Sequence, residues 1–157
     1  MYMKIRRAKI SDIKEIKSIQ QKTIKYINSK DYNKKQISAW LDYNKIKNIR
    51  KRLKNKKRNI FVILDKNKIV GFGSLKIEEN KLSGLYIKHD IIGKGIGSKL
   101  LRYIESFARR KGIKRLKLYS TLTAYDFYKK KGYKKIRRTH QLMNKVKLPC
   151  ILMSKKL

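Results

Sequence analysis

The run IIGKGIGSKLL, residues 91–101, sets Gly93, Gly95 and Gly97 at alternate positions just ahead of an amphipathic stretch. Without a Cβ, such residues let a ligand come close to main-chain amides. The first amides of a helix lack intrahelical acceptors, and the helix dipole makes that end electropositive. A strand ending near Ile87, a loop, and a helix starting inside the glycines therefore suit a phosphate-like anion. Its donors would be the amides of Gly93, Lys94, Gly95, Ile96, Gly97, Ser98 and Lys99, with the Lys94 and Lys99 side chains adding charge. A tight strand-to-helix turn with no ligand would use the same glycines. Two familiar phosphate loops are excluded by spacing. Gly97-Ser98-Lys99 does not satisfy the Walker pattern. The dinucleotide pattern finds its third glycine one residue early from Gly93, and Leu100 in its place from Gly95.

Other chemistry-bearing residues are sparse. Tyr32, Gln36 and Trp40 are spaced i, i+4, i+8, which puts them on one helix face. An aromatic and amide stripe there suits a ligand; the alternative is that Trp40 packs beneath its helix. Cys150, His89 and His140 are the only soft metal ligands, which argues against a zinc site, and no metal is expected. A single cysteine allows no internal disulfide and fits a cytoplasmic location. The opening MYMKIRRAKI lacks the apolar core of a signal peptide, and no apolar run is long enough to span a bilayer.

The elements that must position these residues follow from periodicity and breakers. MKIRRAK reads as a strand. A helix follows, with Asp12 and Glu15 at capping-pair spacing and Ile13, Ile16, Gln20, Ile24 and Ile27 along one face. A second helix starts near Asn33, with Gln36 three residues on. Residues 44–57 are basic, with a helical reading around Ile46, Ile49 and Leu53. NIFVIL and IVGFGSLKI form a hairpin about DKNK, and EENK turns the chain into LSGLYIK. Residues 96–111 read as a helix whose face is Ile96, Leu100, Leu101, Ile104 and Ala108, ended by Gly112. RLKLYS is a strand, TAYDFYKKKG a short helix, and YKKIRR and CILMSKK are closing strands. The expected fold class is a mixed α/β sheet with about four helices, in one domain over residues 1–157.

The net charge of +35, from 45 basic and 10 acidic residues, draws the chain toward polyanions. Yet the lysines are spread over the whole chain, and Ile, Asn and Tyr are abundant too, as an AT-rich coding sequence would produce. Nucleic acid is accordingly expected to bind only non-specifically if at all, and no membrane partner is expected.

Several of these segments together resemble the GNAT superfamily of N-acetyltransferases. LYIKHDIIGKGIGSKLLRYIESFARRKG is similar to its acetyl-CoA segment, Arg/Gln-x-x-Gly-x-Gly/Ala, with Gly95 and Gly97 at the two small positions and Ile92 where the family has Arg or Gln. TAYDFYKKKGY is similar to its A-x-x-F-Y-x-x-x-G-F/Y. IRRAKISDIKEI resembles its opening strand and helix, and IVGFGSL its third strand. DYNKKQISAW is similar to a bacterial subgroup carrying Tyr-x-x-x-Gln-x-x-x-Trp. His89 stands where proline is common, and Thr121 where many relatives have asparagine.

The resemblance implies direct attack of an amine on the thioester of acetyl-CoA, without an acyl-enzyme. The Gly93–Lys99 amides would grip the pyrophosphate. The pantetheine arm would lie along the splayed edge of LYIK, and backbone amides around Tyr86 and Ile87 would polarise the thioester oxygen. Tyr128 is implied as the general acid for the departing thiolate; packing is its other reading. Glu78, Glu79, Asp90 and His89 are undistinguished as bases. Tyr32, Gln36 and Trp40 would flank the acceptor groove. The acceptor is a small-molecule or peptide amine, and the basic surface tilts the choice toward a neutral or acidic one. A monomer or homodimer is expected. The competing reading is a basic nucleic-acid-binding protein on a non-catalytic fold of the same kind.

Overall fold

The computed structural model describes residues 2–157. In chain order the elements are β1 (Met3–Arg7), α1 (Ile13–Tyr26), α2 (Lys34–Tyr43), α3 (Ile46–Lys54), β2 (Arg58–Asp65), β3 (Lys68–Lys76), β4 (Lys81–Ile87), α4 (Ile96–Arg110), β5 (Arg115–Thr121), α5 (Tyr125–Lys130), β6 (Lys134–Met143) and β7 (Val146–Lys156). The strands form one mixed sheet in the order β1-β2-β3-β4-β5-β7-β6. Every neighbouring pair is antiparallel except β4 and β5, which run parallel and pair only at Lys81–Lys117 and Leu82–Leu118.

The sheet is covered on both faces, which is why NIFVIL is a continuous apolar run rather than an alternating one. Phe61 and Ile63 point to α4 and pack with Leu100, Leu101 and Ile104; Val62 and Leu64 point to α1 and α3 and pack with Ile13, Ile16 and Ile49. The α4 face read from periodicity is the one buried, with Ile96, Leu100, Leu101, Ile104 and Ala108 all at or below 3% exposure. Gly112 follows α4 in the left-handed region, as a C-terminal glycine should.

The helical reading around Ile46, Ile49 and Leu53 is met by α3, which brings the helices to five rather than about four; Ile49 holds it with Ile46 and Leu53 beside it, while Lys47, Arg50, Lys51 and Lys54 stay in water. Two details differ from the sequence expectation. Asp12 does not cap α1. Its carboxylate accepts from the Lys9 amide at 2.7 Å and from Arg6 at 2.8 and 3.0 Å, so it staples β1 to the turn before the helix. The closing strands are longer than YKKIRR and CILMSKK, and meet at Asn144 and Lys145, both left-handed as a two-residue hairpin turn requires. By contrast, Asn33 and Gln36 form the reciprocal cap expected of them, at 2.8 and 2.9 Å.

Candidate active site

The parallel pair sets the site. Beyond Leu82 and Leu118 the two strands part, and β4 leaves an edge unpaired on its β5 side. The register of β3 with β4 pairs Gly71 with Ile87, Phe72 with Tyr86, Gly73 with Leu85 and Ser74 with Gly84. Lys88 donates to the Val70 carbonyl at 2.8 Å. Hydrogen-bonded and non-bonded pairs alternate along an antiparallel ladder, so Tyr86 and Gly84 turn their amides toward β3, while Leu85 and Ile87 turn theirs into the gap. The Ile87 carbonyl agrees, accepting from Thr23 Oγ1 at 3.0 Å. Of the two backbone donors expected from the sequence, Ile87 therefore faces the gap and Tyr86 does not; Leu85 takes its place. A register shift at Ser83 marks a bulge, which bends β4 where it leaves β5.

The gap opens into a cavity of about 550 Å³ that runs from β4 and β5 to the head of α4 and to α5. Gly93 and Gly95 adopt φ of +89° and +82°, a region side chains disfavour. A Cβ at either would meet no protein atom within 4 Å, so the space beside them is open. The first backbone bond of α4 runs from Lys99 to the Gly95 carbonyl, at 3.1 Å. The amides of Ile96, Gly97 and Ser98 consequently have no intrahelical acceptor, and no side chain caps them. Gly97 lies inside the helix, where a Cβ would contact the Phe127 ring at 3.4 Å. Lys94 and Lys99 are exposed and do not line the cavity. The cations that do are Lys130 and Lys131, which the sequence reading passed over, and Ile92 also contributes to the wall.

Tyr128 lies on α5 at 6% exposure and lines the same cavity. Burial, with a smaller effect from Tyr86, pushes its phenol well above the usual tyrosine value, so it stays protonated far beyond neutrality. Its ring is held edge-on by Phe127 and Tyr133 at 5.2 and 5.7 Å. Tyr133 donates to Glu105 Oε2 at 2.8 Å, and Lys155 Nζ approaches the same oxygen at 2.9 Å, tying the end of α5 to α4 and β7. Thr121 accepts from the Ala124 amide at 3.1 Å and so starts the turn into α5.

Tyr32, Gln36 and Trp40 come together, but as a clamp. Tyr32 precedes the cap of α2 instead of lying on the helix. Its hydroxyl donates to the Pro149 carbonyl at 2.7 Å and accepts from the Leu122 amide at 3.0 Å. Pro149 lies one residue beyond the last residue of β7 that pairs with β5, so its carbonyl is free for this role. Gln36 donates to the Lys147 carbonyl at 3.1 Å. The polar atoms expected to meet a substrate thus hold α2 against β7. Trp40, 3% exposed and edge-on to Tyr32 at 5.3 Å, is a core residue whose ring also lines the cavity.

Sequence reasoning missed the polar atoms that burial isolates. Asn28, 5% exposed, and Thr123 line the cavity with Oδ1 and Oγ1 unpartnered. Neither had a motif to flag it. Among the described residues no carboxylate or imidazole lines the cavity. Glu78, Glu79 and Asp90 sit on the surface against Lys57, Lys76 and Lys88, and His89 packs against Tyr26 with ring centroids 4.9 Å apart.

A smaller cavity of about 150 Å³ adjoins the first, sharing Trp40, Ser83, Gly84, Tyr86, Gln141 and Met143. Tyr86, stacked on Phe72 at 5.2 Å, stands between them.

A family model described as an acetyltransferase (GNAT) domain matches residues 28–157. The spermidine N(1)-acetyltransferase of Thermoplasma acidophilum is 28% identical over 144 residues, 85% of this chain and 89% of that protein. The solved structure of a GCN5-related N-acetyltransferase from Rhodopseudomonas palustris superimposes with a TM-score of 0.90 at 25% identity, over 100% of this chain and 99% of that one. The PaiA N-acetyltransferase of Thermoplasma acidophilum, solved in complex with coenzyme A, gives 0.83 at 24% identity over 100% of both chains. The matched family model spans α2 to β7, the whole of the splayed strands, glycine loop and α5 just described, and the chain belongs to the GNAT acetyltransferase family.

Proposed function

We propose that this protein moves the acetyl group of acetyl-CoA to a primary amine by direct attack in a ternary complex. The observation that carries the reading is the continuity of unpartnered amides, from Leu85 and Ile87 on the open edge of β4 to Ile96, Gly97 and Ser98 at the head of α4. An extended amide chain ending in a diphosphate matches that run: the strand edge pairs with the amides, and the helix end takes the charge. The open space beside Gly93 and Gly95, and the isolated Asn28 Oδ1 and Thr123 Oγ1 on the wall, fit a polar ligand of that length. The coenzyme A carried by the PaiA structure is consistent with it.

Bound there, acetyl-CoA supplies a thioester that a neutral amine attacks directly, with the CoA thiolate leaving. The Leu85 and Ile87 amides are the donors available to polarise the thioester oxygen. Tyr128 keeps its proton and presents it to the developing thiolate. Because burial makes its phenol a weaker acid, positioning and a strong hydrogen bond carry more of its effect than acidity does. No side-chain base lines the cavity among the described residues, so water takes the proton of the attacking amine.

Titration calorimetry with acetyl-CoA and a thiol-release assay across amines test the reading. Uptake of acetyl-CoA and amine-dependent CoA release are expected; no heat of uptake by folded protein overturns it.

A further inference from the structure

The smaller cavity is cationic in a way the surface charge does not explain. Arg52, Arg58, Lys76 and Lys81 line it, and no carboxylate does among the described residues. Arg58 is partly buried, and among the described residues its side-chain hydrogen bonds go to hydroxyls: Nη1 donates to Ser74 and Ser83, each at 3.4 Å. Arg52 is likewise held by neutral partners, the Asn44 side chain at 2.6 Å and the Tyr43 carbonyl at 3.1 Å. The carboxylate that acts on Arg58 and Lys81 is Glu79, which is exposed, lies outside the lining and is paired with Lys76 at 3.4 Å. Burial first, and neighbouring cations after it, lower the proton affinity of both Arg58 and Lys81, and the opposing pull of Glu79 does not make up for it. A cation taken partly out of water and left unpaired is costly. Ser83, at the bulge of β4, belongs to both cavities and connects this cluster to the splayed edge.

We infer that this cavity seats an anionic group, a carboxylate or a phosphate, of the amine-bearing acceptor, with Arg58 as its principal contact. The inference rests on the acetyltransferase reading and narrows it. It also separates this chain from its relative named for spermidine, since a polycation entering a cavity of four cations meets repulsion.

The test compares acceptors in matched pairs under saturating acetyl-CoA: α-amino acids against their carboxamides, aminoalkyl phosphates against the corresponding amino alcohols, and spermidine alone. The two paired arms distinguish a carboxylate from a phosphate. The anionic member of at least one pair should show a kcat/KM about ten- to a hundredfold higher, the worth of one charge-assisted hydrogen bond. Arg58→Gln should erase that preference, Arg58→Lys should keep part of it, and both should bind acetyl-CoA as the parent does by calorimetry. Equal or better use of the amides, alcohols or spermidine overturns the inference, as does a preference that survives Arg58→Gln. So does a panel in which no anionic member is bound or turned over. Loss of acetyl-CoA uptake by the unaltered protein is a different result, and overturns the acetyltransferase reading itself.

Discussion

Tyr32→Phe separates a clamp from a substrate contact. The substitution removes one oxygen and leaves the ring against Trp40 in place. Two hydrogen bonds disappear, to the Pro149 carbonyl and from the Leu122 amide. Each is worth about 1 kcal/mol net, and the half-buried Leu122 amide loses its acceptor, which adds about 1 kcal/mol more. The expected loss is about 3 kcal/mol. An unfolding entropy of about 2.1 cal/mol/K per residue gives about 0.33 kcal/mol/K for a chain of this length, so the melting temperature should fall by about 9 °C. Leu122 joins β5 to the turn that carries α5 and Tyr128, so kcat should fall modestly while the KM for the amine stays put. Thermal unfolding followed by circular dichroism, with steady-state kinetics on the same samples, reads both. A melting temperature within about 2 °C of the parent, together with a raised amine KM, would refute the clamp and return Tyr32 to the acceptor groove.

Tyr128→Phe should lower kcat at least about tenfold with acetyl-CoA affinity unchanged by calorimetry, because only the presented proton is lost; an unchanged rate removes that role. Gly95→Ala and Gly112→Ala form a matched pair at φ of +82° and +86°, both with open space around the new Cβ. Each should cost about 1–2 kcal/mol of stability, but only Gly95→Ala should weaken acetyl-CoA binding, and equal affinities in the two variants count against the glycine loop as the phosphate seat. Stability should decline in alkali. Burial raises Cys150 to about 11 and Tyr32 to about 12. The folded chain therefore retains protons that the unfolded chain releases, and stability is full below about pH 9 and falls between about pH 9 and 12, by up to about 3 kcal/mol per group. Urea midpoints across that range that do not move would contradict it.

The long helix α4, the β2–β3 hairpin and the glycine loop were legible because each has a local signal: an apolar stripe at helical period, a left-handed turn pair, and small residues before an amphipathic run. The α2 cap was legible for the same reason. What escaped reading depends on partners distant in sequence. Asp12 has capping spacing, but its carboxylate accepts from Arg6 and the Lys9 amide instead of from the Glu15 amide. The length of β6 was hidden because it is a sheet edge and almost wholly exposed, so Lys, Arg, Gln and His serve there as well as apolar residues. The exchange of Tyr86 for Leu85 as a gap-facing donor follows only from register, which a single strand cannot reveal. Asn28 and Thr123 look like ordinary loop residues until burial isolates their oxygens.

The charge of the chain divides by the same logic. Of its ten acidic residues only Asp12 and Glu105 are buried. Each is matched, Asp12 by Arg6 and Glu105 by Lys155 and Tyr133. The remaining acids lie at or near the surface among many lysines, where a cation stays hydrated and costs little, so a drift in composition is enough to place it there. Arg58 is different. A guanidinium packed between two strands, hydrogen-bonded to serine hydroxyls and facing three further cations, carries a penalty that drift would tend to remove rather than accumulate. A ligand that binds the folded state offsets such a penalty by mass action. The excess positive charge is therefore informative at the few positions where the fold withholds water from it, and these adjoin the open edge of β4.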